Sequence, residues 1–112
     1  MAAPRFKLIF FTPHPPLEAI KMAIFATGAG TFPGGKYSKA CFQSHGVGQF
    51  LPEEAKGANP HIGTHGTLEK VDEVKVEVLC VGQKVMHDAV TALKKAHPYE
   101  EPAYEVYKLE DV

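Results

Sequence analysis

Glu73-Val74-Lys75-Val76-Glu77-Val78-Leu79-Cys80-Val81, the second half of a segment that starts at Thr67, is the clearest strand in the chain. Val74, Val76, Val78 and Cys80 alternate with Glu73, Lys75 and Glu77, a period of two that sends one face to a core and the other to water. At Leu79 and Val81 the second face turns apolar too, so this end needs cover on both sides. The period then changes. From Gln83 to Ala96 the residues Met86, Ala89, Val90, Leu93 and Ala96 share one helical face, with Lys84, Asp88, Thr91, Lys94 and Lys95 on the other. Ala103 to Leu109 reads as a closing strand, which makes residues 67–109 a β-α-β unit.

The N-terminal half repeats the order. Phe6 to Thr12 is rich in aromatic and branched residues and is stopped by Pro13 and Pro15, so it reads as a strand with apolar groups on both faces. Pro16 to Thr27 reads as a helix with Leu17, Ile20, Ile24 and Thr27 in one stripe, and Gly28 stands where a left-handed cap residue is wanted. Thr31 to Gly35 is a turn, and Lys36 to Gln43 is expected as the second strand. Ser44 to Gly66 is expected as a long glycine-rich loop, with a short strand at Gly48 to Leu51. Two β-α-β halves with both helices on one sheet face make an α+β, ferredoxin-like βαββαβ sandwich with an antiparallel sheet. Its open face would carry Ile9, Phe11, Leu79 and Val81, an apolar surface that points to a homo-oligomer.

At 112 residues the chain suits a single domain, residues 1–112. Twelve basic residues against 13 acidic ones leave a net charge of −1, which offers no pull on nucleic acid or an anionic membrane. No 18-residue apolar run and no signal-peptide pattern is present, so a cytoplasmic location is expected. In that setting Cys41 and Cys80 are expected as free thiols.

Two groups of residues carry candidate chemistry. Cys41, His45, His61 and His65 are of the types that zinc or copper prefers, and His97 is a fifth candidate. On a strand end and a glycine-rich loop, however, the four-residue spacings fix no common direction, so surface histidines beside a core cysteine are the favoured reading. The second group is the corner His97-Pro98-Tyr99-Glu100-Glu101-Pro102. There an imidazole beside carboxylates could hold a ligand or move a proton. The structural alternative is that His97 closes the helix as a cation while the tyrosines pack. Gly46, Gly48 and Asn59 join His97, Tyr99, Glu100 and Glu101 as candidate ligand contacts, because glycine-rich backbone can present amides to a bound group. No nucleophile elbow, phosphate loop or dinucleotide fingerprint is present.

Seven runs, taken in order, carry a resemblance that spans Phe6 to about Leu109. They are Lys7-Leu8-Ile9-Phe10-Phe11, Gly28-Ala29-Gly30, Tyr37 to Phe42, Gly46-Val47-Gly48-Gln49-Phe50, Gly57 to Gly63, Leu68 to Val71 and His97 to Tyr104. Together they resemble the small insert domain of the YqfO-type Nif-three-like family, here expected to stand alone. The resemblance implies a fold similar to CutA and the PII signalling proteins, which are commonly trimeric. The His97-Pro98-Tyr99 run also looks like a corner of CutA linked to divalent metal, although this sequence has Ala103 where CutA carries a glutamate further along. Full-length family members enclose a two-metal centre in two lobes that this sequence lacks, so their hydrolase labels are not expected to apply. The expected function is a non-catalytic oligomer, a trimer before a dimer, binding a small ligand or a divalent metal. The alternatives are a small enzyme using His97 with Glu100 or Glu101, and a structural or protein-interaction module.

Overall fold

The computed structural model describes residues 2–112. Strand β1 (Arg5–Pro13) leads into helix α1 (Leu17–Phe25), strand β2 (Phe42–Phe50), a short 3-10 turn (Glu54–Lys56), strand β3 (Glu69–Val81), helix α2 (Gln83–Ala96) and strand β4 (Tyr104–Leu109). The four strands form one sheet in the order β2-β3-β1-β4, with every neighbouring pair antiparallel. This is the expected α+β, ferredoxin-like arrangement.

The alternation read in β3 decides where the core sits. Val74, Val76, Val78 and Cys80 are at most 1% exposed. Their register partners on β1 include Val78↔Leu8 and Val76↔Phe10, so the two strands send one apolar face the same way. Leu17, Ile20 and Ile24 of α1 and Ala89 and Leu93 of α2 close over that face. Each fully buried side chain of this kind contributes roughly 1.5–3 kcal/mol. Gly30 locks the first half onto the second: its N–H donates to the Leu79 carbonyl at 2.7 Å, and its own carbonyl accepts from Ala40 at 2.9 Å.

Two expectations change. The second strand is Phe42–Phe50 rather than Lys36–Gln43, so the first part of the expected 44–66 loop, residues 44–50, is strand, and the expected short strand at Gly48 to Leu51 is the end of it. Residues 32–41 turn instead, with Phe32 N–H bonded to Tyr37 O and Lys39 in the left-handed region at φ 54°. β2 has no buried residue, so no hydrophobic period announces it; it forms because β3 offers it a backbone ladder from Phe42↔Glu77 to Phe50↔Glu69. On the sheet face away from the helices, Ile9 is only 5% exposed and Phe11, Leu79 and Val81 are half-buried. Phe42 and Tyr107, on the same face by register, are the exposed aromatic groups.

Candidate functional site

The corner after α2 is built around His97. Pro98 forces the residue before it out of helical geometry, and His97 sits extended at φ −74°, ψ 133°, its N–H capping the helix on Leu93 O at 2.9 Å. Its ring turns inward and is 5% exposed. Nε2 lies 2.7 Å from the Phe11 carbonyl, and Nδ1 lies 3.1 Å from the Tyr99 N–H. A carbonyl can only accept and an amide N–H can only donate, so Nε2 carries the proton and Nδ1 is bare. The ring is neutral, and burial, with a smaller contribution from His61, pushes its pKa down against the Phe11 bond. This corrects the reading of His97 as a helix-closing cation. It also leaves the ring no free nitrogen with which to serve a substrate, contrary to the acid–base alternative.

Beside the corner lies a cavity of about 530 Å³, within the usual range for small-molecule sites. Its floor is the open sheet face at Phe11 and Glu73; one wall is the chain from Gln49 to Ile62 and the other runs from Tyr99 to Ala103. Asn59 N–H donates to Glu100 Oε2 at 3.0 Å and ties the two walls together. Phe50 and His61 flank the Tyr99 ring, each with its centroid 6.2 Å away. The Tyr99 hydroxyl is completely buried and makes no hydrogen bond among the described residues. Burial raises its pKa first and the Glu73 charge next, but the two groups stop short of hydrogen-bond geometry.

Glu73 reaches this position because residue 48 has no side chain. A Cβ on Gly48 would stand 2.8 Å from the carboxyl carbon of Glu73 and would collide with Oε1. Burial pushes the Glu73 carboxyl above the ordinary carboxylate range, against a smaller opposing pull from Tyr99. A second hollow of about 250 Å³ continues along β2, over Gly46, Gly48 and Lys75, and shares Phe11 and Glu73 with the first.

No protein-family model matches the chain. Over 105 residues, 93% of its length, it is 46% identical to a Halalkalibacterium halodurans protein named GTP cyclohydrolase 1 type 2 homolog, of which it covers 27%. A Bacillus cereus protein related to NIF3 superimposes at a TM-score of 0.80 with 34% identity, over 99% of this chain and 27% of that one. Homologues from the NIF3-related family thus cover nearly the whole of this chain. It spans about a quarter of the length of these relatives. CutA of Archaeoglobus fulgidus, at a TM-score of 0.65 and 13% identity over 96% of this chain and 86% of that one, shares the fold. So does Bacillus subtilis GlnK in its ATP complex, at 0.63 and 15% over 97% and 84%.

In this chain the expected metal ligands lie apart. Cys41 packs against the core just before β2, and His45 stacks on His14 with centroids 5.0 Å apart. His65 Nε2 is 2.6 Å from Ala58 O, and His97 is committed at both nitrogens. Only His61 of the five lines the cavity. Among the described residues no three His, Cys, Asp or Glu side chains form a group that could hold a metal ion. The expected ligand contacts fare differently: Tyr99, Glu100, Glu101 and Asn59 meet at the cavity, while Gly46 and Gly48 line the adjoining hollow. Sequence reasoning missed Phe11, Phe50 and Glu73. The available signal was a Gly-x-Gly in a segment able to pair with a strand carrying alternate acids.

Proposed function

We propose that this domain is a binding module. It holds a small molecule in the cavity between the 51–62 loop and the 99–103 corner, works as a homo-oligomer and performs no chemistry on what it binds. The observation that carries this reading is the Tyr99 hydroxyl, buried in the cavity wall without a partner. A buried hydroxyl left unsatisfied costs about 1–3 kcal/mol, and a bound ligand removes that cost. The cyclohydrolase chemistry in the relatives' name belongs to proteins of which this chain spans 27%, and none of it is assigned to the domain.

Isothermal titration with nucleotides, zinc, copper and small organic ions, read together with tyrosine fluorescence, tests the proposal. Heat accompanied by a fluorescence change that Tyr99→Phe abolishes supports it. No heat from any of them in the folded protein refutes it. The oligomer is proposed as a trimer before a dimer, supported by Phe42 and Tyr107 standing 66% and 50% exposed on the sheet face away from the helices. Light scattering at micromolar concentration should give a multiple of 12.2 kDa, and a monomer there refutes this part.

A further inference from the structure

The cavity's charge is lopsided in a chain that is almost neutral. Glu53, Glu73, Glu100 and Glu101 line it, and Lys56 is the one lysine or arginine among its lining residues. The whole chain carries a net charge of only −1, whereas four glutamates against one lysine gather excess negative charge in one concave place. Neither Lys56 nor any of the four glutamates forms an ion pair among the described residues. Glu100 accepts from the Asn59 N–H, and Glu73 lies against the Tyr99 hydroxyl. A concave surface of one sign concentrates ions of the other and repels phosphate.

The walls narrow the choice among cations. A bare divalent ion needs several hard ligands at short range, and no group of three candidate side chains comes together. The cavity instead presents the aromatic surfaces of Phe11, Phe50 and Tyr99 beside its carboxylates. Aromatic rings next to acids suit an ammonium carried on a hydrocarbon frame, because the ring face attracts the cation and the stem covers apolar wall. The unpartnered Tyr99 oxygen can accept an ammonium N–H that Glu73, beside it, neutralises.

We propose that the cavity takes a small organic cation, an alkyl amine or polyamine in its ammonium form, held between Glu73, the Tyr99 hydroxyl and the aromatic walls. This rests on the reading of the cavity as a small-ligand site and names the class of ligand. It sets the domain apart from Bacillus subtilis GlnK, which shares the fold and is solved with ATP.

The test is titration of the isotope-labelled chain with putrescine, spermidine, ATP, inorganic phosphate and zinc chloride, followed by amide shifts at Asn59, Tyr99 and Glu101. The expected result is that spermidine and putrescine move these amides and phosphate and ATP do not. Affinity should fall about tenfold in Glu73→Gln and in Tyr99→Phe, as for loss of one hydrogen bond to a charged group. It should also fall several-fold between low and physiological salt. Should Glu73→Gln fail to fold, Glu101→Gln and the salt series read the same electrostatic contribution. If ATP, phosphate or zinc moves the cavity amides and the amines do not, the cation inference is overturned while the small-ligand reading stands. If nothing moves them, both fall.

Discussion

Replacing His97 with alanine separates the two roles the corner could have. The substitution removes the donor to Phe11 O and the acceptor for the Tyr99 N–H, two bonds of 2.7 and 3.1 Å made by a ring that is 5% exposed. Each backbone group left unsatisfied costs about 1–3 kcal/mol, so a total of about 3 kcal/mol is expected. That is a large part of the roughly 5–15 kcal/mol that holds a domain of this size. The urea midpoint should then fall by about 1–3 M at an ordinary slope. The pH dependence tells the neutral ring from a cationic one. Because burial depresses the folded pKa below 6.5, the unfolded chain binds more protons once the pH drops below that value. The stability His97 provides is therefore present above pH 6.5 and is lost as pH falls through the folded pKa. Measured in urea from pH 8 to pH 5, the gap between wild type and His97→Ala should narrow as the solution becomes acidic. A helix-closing cation gives the opposite slope. A gap under about 1 kcal/mol at pH 8, or one that widens towards pH 5, refutes the assignment.

Three further outcomes follow from the same geometry. Gly30→Ala should cost about 2 kcal/mol or more in chemical denaturation, since a Cβ there meets Ala40 O and the Phe25 ring at 2.9 Å on a backbone at φ +83°. Gly48→Ala should leave stability within about 1 kcal/mol, because only the end of the Glu73 side chain must move. By displacing that charge it should lower the titration of the Tyr99 phenol followed by carbon NMR, and an unchanged Tyr99 curve counts against the contact. Burial pushes the Cys80 thiol up to about 11, so an aromatic disulfide reagent at pH 8 should modify Cys41 alone in the native protein. Two thiols reacting at equal rates contradict the core placement.

The elements legible in the sequence were those whose side chains meet a core. β3 and α2 show their period because Val74 to Cys80 and Ala89 to Leu93 are buried on one side only, and β1 shows itself by its aromatic run. β2 showed only its two ends, in the strands expected at Lys36 to Gln43 and Gly48 to Leu51, because it is held by its backbone ladder to β3 and buries nothing. The site was half legible for the same reason. Tyr99, Glu100 and Glu101 stand in a proline-bounded run that any reader stops at, whereas Glu73 looks like the wet side of an ordinary strand. Only the register that sets Gly46 opposite it, and Gly48 one step along, turns that glutamate into a cavity wall. The end of α2 at His97 was legible, but the burial of its ring and its charge state depend on Phe11, 86 residues away in the chain.

The contrast between His97 and Tyr99 bears most directly on function. The two are two residues apart, on the same turn, with rings 4.8 Å from each other. At His97 the fold meets every polar demand: both nitrogens are bonded and the ring is packed. At Tyr99 it leaves a buried hydroxyl without a partner, beside a carboxyl whose burial disfavours its charge. Next to these a glycine interrupts a strand, where alanine is ordinarily favoured by about 0.5–1 kcal/mol. Phenylalanine at 99 and glutamine at 73 each ease one of these strains without touching the core, while glycine at 48 is what leaves room for the carboxyl. Three local costs meeting at one cavity, next to a histidine with none, are the pattern expected where a structure is shaped for a ligand rather than for its own stability.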